Sequence, residues 1–243
     1  MANARASLII VTITVFVLLI VMYTVFNYHN YLLLSLGIIG CVMMLFFIRF
    51  EMKSIKTREI VILALLIAIA AVARVPFAGL PSVQPTSFVI ITVGLVFGAE
   101  SGFLVGALAA IVSNMFLGQG PWTPWQMFAW GTMGMSAGLL RQFLGMGKLW
   151  ILNSFGFIWG FIFGWMMNLW IVFSNMHNFT WEFLVGIYVS SFYHDLAHAI
   201  SNVIFISLFS VSWIRILNRF KKKHGLLEDS TLKPSIAYDH SGK

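Results

Sequence analysis

The chain has 243 residues, 60% of them hydrophobic and 9% charged, a mean hydropathy of +0.91 and a formal net charge of +7. This composition excludes an ordinary soluble domain and defines an integral membrane protein. Windows of about 20 apolar residues recur without the ten-residue alternation of a β-barrel, so the spans are helical. Most basic residues sit beside predicted helix ends, where they set orientation in the bilayer and call for no nucleic-acid partner. The single cysteine, Cys41, lies in an apolar run, which excludes an intramolecular disulfide, a Cys-based zinc site and a CxxC redox centre.

Arg5 followed by the Leu8–Ile20 run imitates a signal peptide, but no small-residue cleavage site precedes Asn27-Tyr28-His29-Asn30. It is read as a retained first span. Residues 8–26 and 31–48 then predict a two-helix transmembrane hairpin. The linker Arg49–Arg58 carries four basic residues and belongs on the cytoplasmic side. Span three runs from about Glu59 to Arg74 and ends at Val75–Pro85, where three prolines and a glycine break the helix. Span four covers about Thr86–Phe97 and turns at Gly98–Gly102 into span five, Phe103–Leu117. The loop Gly118–Pro124 leads to span six, Trp125–Leu140, and Arg141 with Lys148 marks the next basic loop. Span seven covers about Leu149–Phe173. After Ser174–Trp181, span eight runs from Glu182 to Leu217, longer than one crossing, and the polar tail from Asn218 is expected to lack fixed structure.

Eight spans with both termini cytoplasmic put every basic cluster inside. The same topology gathers Val75–Pro85, Gly118–Pro124 and Ser174–Trp181 on the outer face, all rich in Trp, Gln, Asn, Pro and Gly and nearly free of charge. The segment Gly118-Gln119-Gly120-Pro121-Trp122-Thr123-Pro124-Trp125-Gln126-Met127 combines stacking surface with neutral hydrogen-bonding groups. It reads as one wall of a binding pocket; the competing reading is a re-entry loop with interfacial tryptophans. Gln84, Gln119, Trp122, Trp125 and Gln126 are the candidate pocket residues. Asn114 and Asn168, inside spans, either line the pocket or bond across helices.

Span eight contains Tyr193-His194-Asp195-Leu196-Ala197-His198, with Ser201 and Asn202 one turn later. Helical spacing puts His194, His198 and Ser201 on one stripe and Asp195 with Asn202 on a neighbouring one. A carboxylate at that depth faces the bundle interior with a partner. Three readings stay open: a polar clamp between helices, the floor of the pocket, and a metal site, for which His194 and His198 have ligand spacing but no HExxH. Within the spans there is no close carboxylate pair, and the chain has no P-loop. No catalysis, cofactor or metal is therefore assigned, and any energy must come from a gradient or a partner.

Small residues form two helical faces: Ala64, Ala68 and Ala71 on span three, and Gly102, Gly106 and Ala110 on span five. Such faces let helices approach closely, within the bundle or against a partner. The string Ala64-Leu65-Leu66-Ile67-Ala68, with Pro81-Ser82-Val83-Gln84-Pro85-Thr86 and the Gly118–Met127 segment, resembles the substrate-binding S-components of energy-coupling factor (ECF) vitamin transporters. The similarity covers about residues 57–217 and is nearest the subgroup associated with cobalamin or its lower-ligand precursors, such as α-ribazole. The resemblance implies an all-α fold with a six-helix core (51–217), here preceded by the hairpin (1–50) and followed by a cytoplasmic tail (218–243). It also implies a multi-pass protein of the bacterial plasma membrane that binds a vitamin-like molecule at its outer face. The partners it implies are a transmembrane coupling subunit, docked through Ala64 and Ala68, and two ATPase subunits. Site residues on this reading are Gln84, Asn114, Gln119, Trp122, Trp125, Gln126, His194, Asp195 and His198. Lacking an outer basic cluster, the sequence suits a neutral aromatic ligand. A gradient-driven secondary transporter using Asp195, His194 and His198 is the alternative, against which no inverted repeat is evident.

Overall fold

Proline and glycine divide a nearly continuous apolar sequence into helices, and the breaks fall where backbone chemistry requires them. In a computed structural model, residues 10, 13–15, 17, 21, 31–51, 57–141 and 149–224 are described. Most of the expected first span, the hairpin turn 27–30, the loop 142–148 and the tail beyond 224 lie outside the described residues. The helices are α1 (Tyr31–Glu51), α2 (Thr57–Val72), α3 (Thr86–Phe97), α4 (Ala99–Leu117), α5 (Thr123–Leu139), α6 (Leu149–Ser174) and α7 (Trp181–His224). Short 3₁₀ turns at Val75–Phe77 and Met176–Asn178 precede α3 and α7. Among the described residues there is no strand.

Gly98 and Gly118, at φ 94° and 106°, join α3 to α4 and end α4, in a region of backbone space that a side chain makes costly. The expected five-residue turn Gly98–Gly102 therefore contracts to Gly98 alone, and α4 begins at Ala99. Pro124 occupies the first turn of α5, where its missing N–H forfeits no helical bond.

All twelve residues of α3 are buried, which makes it the axis of the bundle. It meets α4 and α5 through glycine: a Cβ at Gly134 would collide with the Gly102 carbonyl, one at Gly94 with the Gly134 carbonyl, and one at Gly106 with the Trp130 carbonyl. The Gly102, Gly106 and Ala110 face is thus spent on packing inside the molecule, all three residues being buried. α6 and α7 pair in the same way, Gly160 against Ala199 and Gly164 against Asp195. α1 joins this core: Ile39 and Met43 are part of it, and Phe47 meets Phe103 edge-on at 6.3 Å between ring centroids.

α7 is 44 residues long and continues past Leu217, where a polar tail was expected, to His224. Lys221 explains part of the extension, because its Nζ donates to the carbonyl of Val96 at 2.7 Å and caps the end of α3. The bundle thus has a loop end, built from residues 73–85, 118–122 and 175–180, and a far end with the Gly98 turn and Lys221.

Candidate functional site

At the loop end, side chains from α5 and from the turn after α2 converge on Asn114, which the last turn of α4 buries. Its Nδ2 donates to Gln126 Oε1 at 2.7 Å and to Thr123 Oγ1 at 3.1 Å, and its Oδ1 accepts from Arg74 Nη1 at 2.7 Å. The Thr123 hydroxyl donates to Gln119 Oε1 at 2.9 Å, and Gln119 Nε2 returns to the Ile111 carbonyl at 2.9 Å. One chain of hydrogen bonds therefore joins Gln119, Thr123, Asn114 and Gln126, three of which the sequence had singled out. Pro121 and Pro124 hold the loop so that Thr123 opens α5, with its hydroxyl also accepting from the Gly120 N–H at 3.2 Å.

Arg74 and Trp130 extend the cluster inward. Arg74 Nη1 also donates to Ser113 Oγ at 3.0 Å, and its guanidinium carbon lies 5.1 Å from the centroid of the buried Trp130 ring. Trp130 Nε1 donates to Ser87 Oγ at 3.3 Å, and His198 Nε2 meets the same oxygen at 2.8 Å. His198 is itself buried, edge-on to Phe163 at 4.9 Å. The Gln84 N–H donates to Ser201 Oγ at 3.0 Å and so ties the α2–α3 loop to α7, while Gln84 Oε1 is buried with no hydrogen-bond partner. Trp125 stacks on Phe173 at 5.6 Å with its Nε1 buried and unpartnered, and Trp122 leans on Trp170 at 5.9 Å.

Two predicted residues stand apart. Asp195 is buried in the seam between α6 and α7, where Ser191 donates to its Oδ2 at 3.0 Å and Asn168 Nδ2 donates to Ser191 Oγ at 2.8 Å. His194 is exposed, and the stripe expected to join it to His198 and Ser201 does not form a common inner face. The buried face of α7 instead carries Asp195, His198 and Asn202, because α6 and α3 pack against that i, i+3, i+7 row. Among the described residues no three His, Cys, Asp or Glu side chains converge as metal ligands. A shallow apolar groove between α6 and α7, lined by Trp165, Leu184, Tyr188 and Phe192, includes no member of the polar cluster.

Arg74, Ser87, Ser113, Thr123 and Trp130 were not among the predicted site residues. Arg74 carried a signal: it is the one formal charge bordering the otherwise uncharged Val75–Pro85 loop.

The fold and cluster together define a class: a helical membrane bundle that carries a polar, aromatic cluster at one end. Residues 54–214 match the model of the family described as ECF-type riboflavin transporter, S component, and the chain belongs to that family as a multi-pass cell membrane protein. It is also 29% identical over 89 residues to a UPF0397 protein of Vibrio atlanticus, covering 35% of this chain and 48% of that protein. A UPF0397 protein of Aliivibrio fischeri is 28% identical over 91 residues, covering 35% of this chain and 49% of its own length. The chain thus spans about half the length of these curated relatives. No solved structure matches it.

Proposed function

We propose that this chain is the substrate-specific subunit of an ECF-type importer. It captures a vitamin or vitamin precursor at the outer face and releases it inside when docked on a coupling subunit driven by two ATPases. The observation that carries this reading is the Gln119–Thr123–Asn114–Gln126 hydrogen-bond chain at the loop end, flanked by Trp122, Trp125 and Gln84. Neutral amides and indoles that converge without a catalytic pair suit recognition and not bond-breaking. The chain itself performs no catalysis in this reading.

The loop end is the outer one if the Arg49–Arg58 linker obeys the positive-inside rule. Ala64 and Ala68 lie on an exposed face of α2, which suits close approach by a partner helix. Residues 51–217 act as the substrate-binding core in this reading. The family description names riboflavin, and the sequence resemblance names cobalamin and α-ribazole. Each offers a flat heteroaromatic ring with polar edges, which amides and indoles recognise.

Calorimetry or tryptophan fluorescence of the purified full chain with riboflavin, cobalamin, α-ribazole and dimethylbenzimidazole tests the proposal. One-to-one binding of one of them is the expected result. Uptake that follows a proton gradient, without ATP or a coupling subunit, would instead make the chain a secondary transporter.

A further inference from the structure

Arg74 sits where an arginine is free to extend into water, at the end of α2, yet it folds inward. It is half-buried, over Trp130 and against Ser113 and Asn114. Both of its hydrogen bonds among the described residues leave from Nη1, to neutral oxygens, so Nε and Nη2 have no acceptor there. Among the described residues no carboxylate pairs with it: Glu59 and Glu100 belong to the far end, Glu182 is exposed at the start of α7, and Asp195 is held by Ser191 in the α6–α7 seam. A planar guanidinium with one edge engaged and the other open matches the two oxygens of a carboxylate or phosphate. An inward-facing cation without a counter-charge carries a desolvation cost that an oxyanion offsets.

A second observation comes from the same end of the bundle. Gln84 Oε1 and Trp125 Nε1, an acceptor and a donor, are both buried without partners among the described residues. Groups of this kind are rare in native proteins and call for an explanation, which a bound polar molecule supplies.

We infer that the ligand of this site carries an oxyanion, a carboxylate or phosphate attached to its ring system, and that Arg74 is the residue that binds it. This rests on the reading of the loop-end cluster as the substrate site, and it replaces the neutral ligand expected from sequence. Asn114 and Ser113 orient the guanidinium by occupying Nη1, and Trp130 fixes its plane from below.

The test uses the purified full chain and paired probes that differ in one acidic group: riboflavin with its 5′-phosphate, α-ribazole with its 5′-phosphate, nicotinamide with nicotinate, and biotinamide with biotin. In the pair that binds, the acidic member is expected to bind wild type at least about tenfold tighter than its neutral partner. Arg74→Gln is expected to erase that preference, so that the two members of the pair bind the variant with equal affinity. Arg74→Lys keeps the charge without the fork and is expected to retain part of the preference, which also serves if the Gln variant fails to fold by thermal unfolding. Equal affinity of the two members for wild type, or a preference that survives in Arg74→Gln, overturns the inference and leaves the site reading intact. Absence of binding by every probe overturns the site reading itself.

Discussion

Asn114 is the residue on which the loop-end cluster depends, because its one amide bonds Arg74 in the turn after α2 and both Thr123 and Gln126 of α5 at once. Asn114→Leu keeps the volume but strands Arg74 and Gln126, each left with a buried or half-buried group to desolvate. A loss of about 2–4 kcal/mol is expected, read as a lowered unfolding temperature in detergent together with loss of ligand binding. The polar members of the cluster were legible beforehand because Asn, Gln and Trp are conspicuous in a hydrocarbon-like sequence. Arg74 was passed over because a basic residue at a helix end is usually an orientation signal, and only the fold shows its side chain turned inward over Trp130. His194 failed for a different reason. A stripe drawn from spacing alone leaves its direction unset, and the packing of α6 on Asp195 through Gly164 fixes the inward face one residue further on.

At the level of elements, α3, α4 and α5 touch backbone to backbone, and that contact holds the site's walls at fixed separation. Gly134→Ala places a methyl against the Gly102 carbonyl, where no side chain can give way. The expected cost is about 1–3 kcal/mol, measured by thermal unfolding of the purified protein. Helix positions were readable from Pro and Gly, and α3 keeps the span expected for it. The Gly98–Gly102 turn was overdrawn because small residues resemble a turn when they are in fact making room for a neighbouring helix. The end of α7 was underdrawn because Lys221 looks like a solvated tail residue until the Val96 carbonyl is seen to receive it.

For the whole molecule, the proposed function assigns binding and delivery to different surfaces: the cluster lies at the loop end, and Ala64 and Ala68 lie along the exposed side of α2. Bulky substitution of both, Ala64→Trp with Ala68→Trp, is expected to leave ligand affinity within about threefold of wild type. Uptake into vesicles containing the coupling subunit and ATPases should fall by about tenfold or more, since close helix approach is blocked. Equal loss of both would place the alanine face in the binding machinery. The membrane class and the helical character of the spans were legible from hydropathy alone. The integration of α1 was not, because its contact with Phe103 depends on a partner more than fifty residues away.

The brevity of α3 bears on the release step of the proposed importer. Twelve residues rise roughly 18 Å, against a hydrocarbon layer of about 30 Å, so the central plug is little more than half the membrane's depth. On the importer reading, a ligand held at the loop-end cluster has only this short helix between it and the far end of the bundle, so release calls for tilting a shallow cup and not for opening a long tunnel.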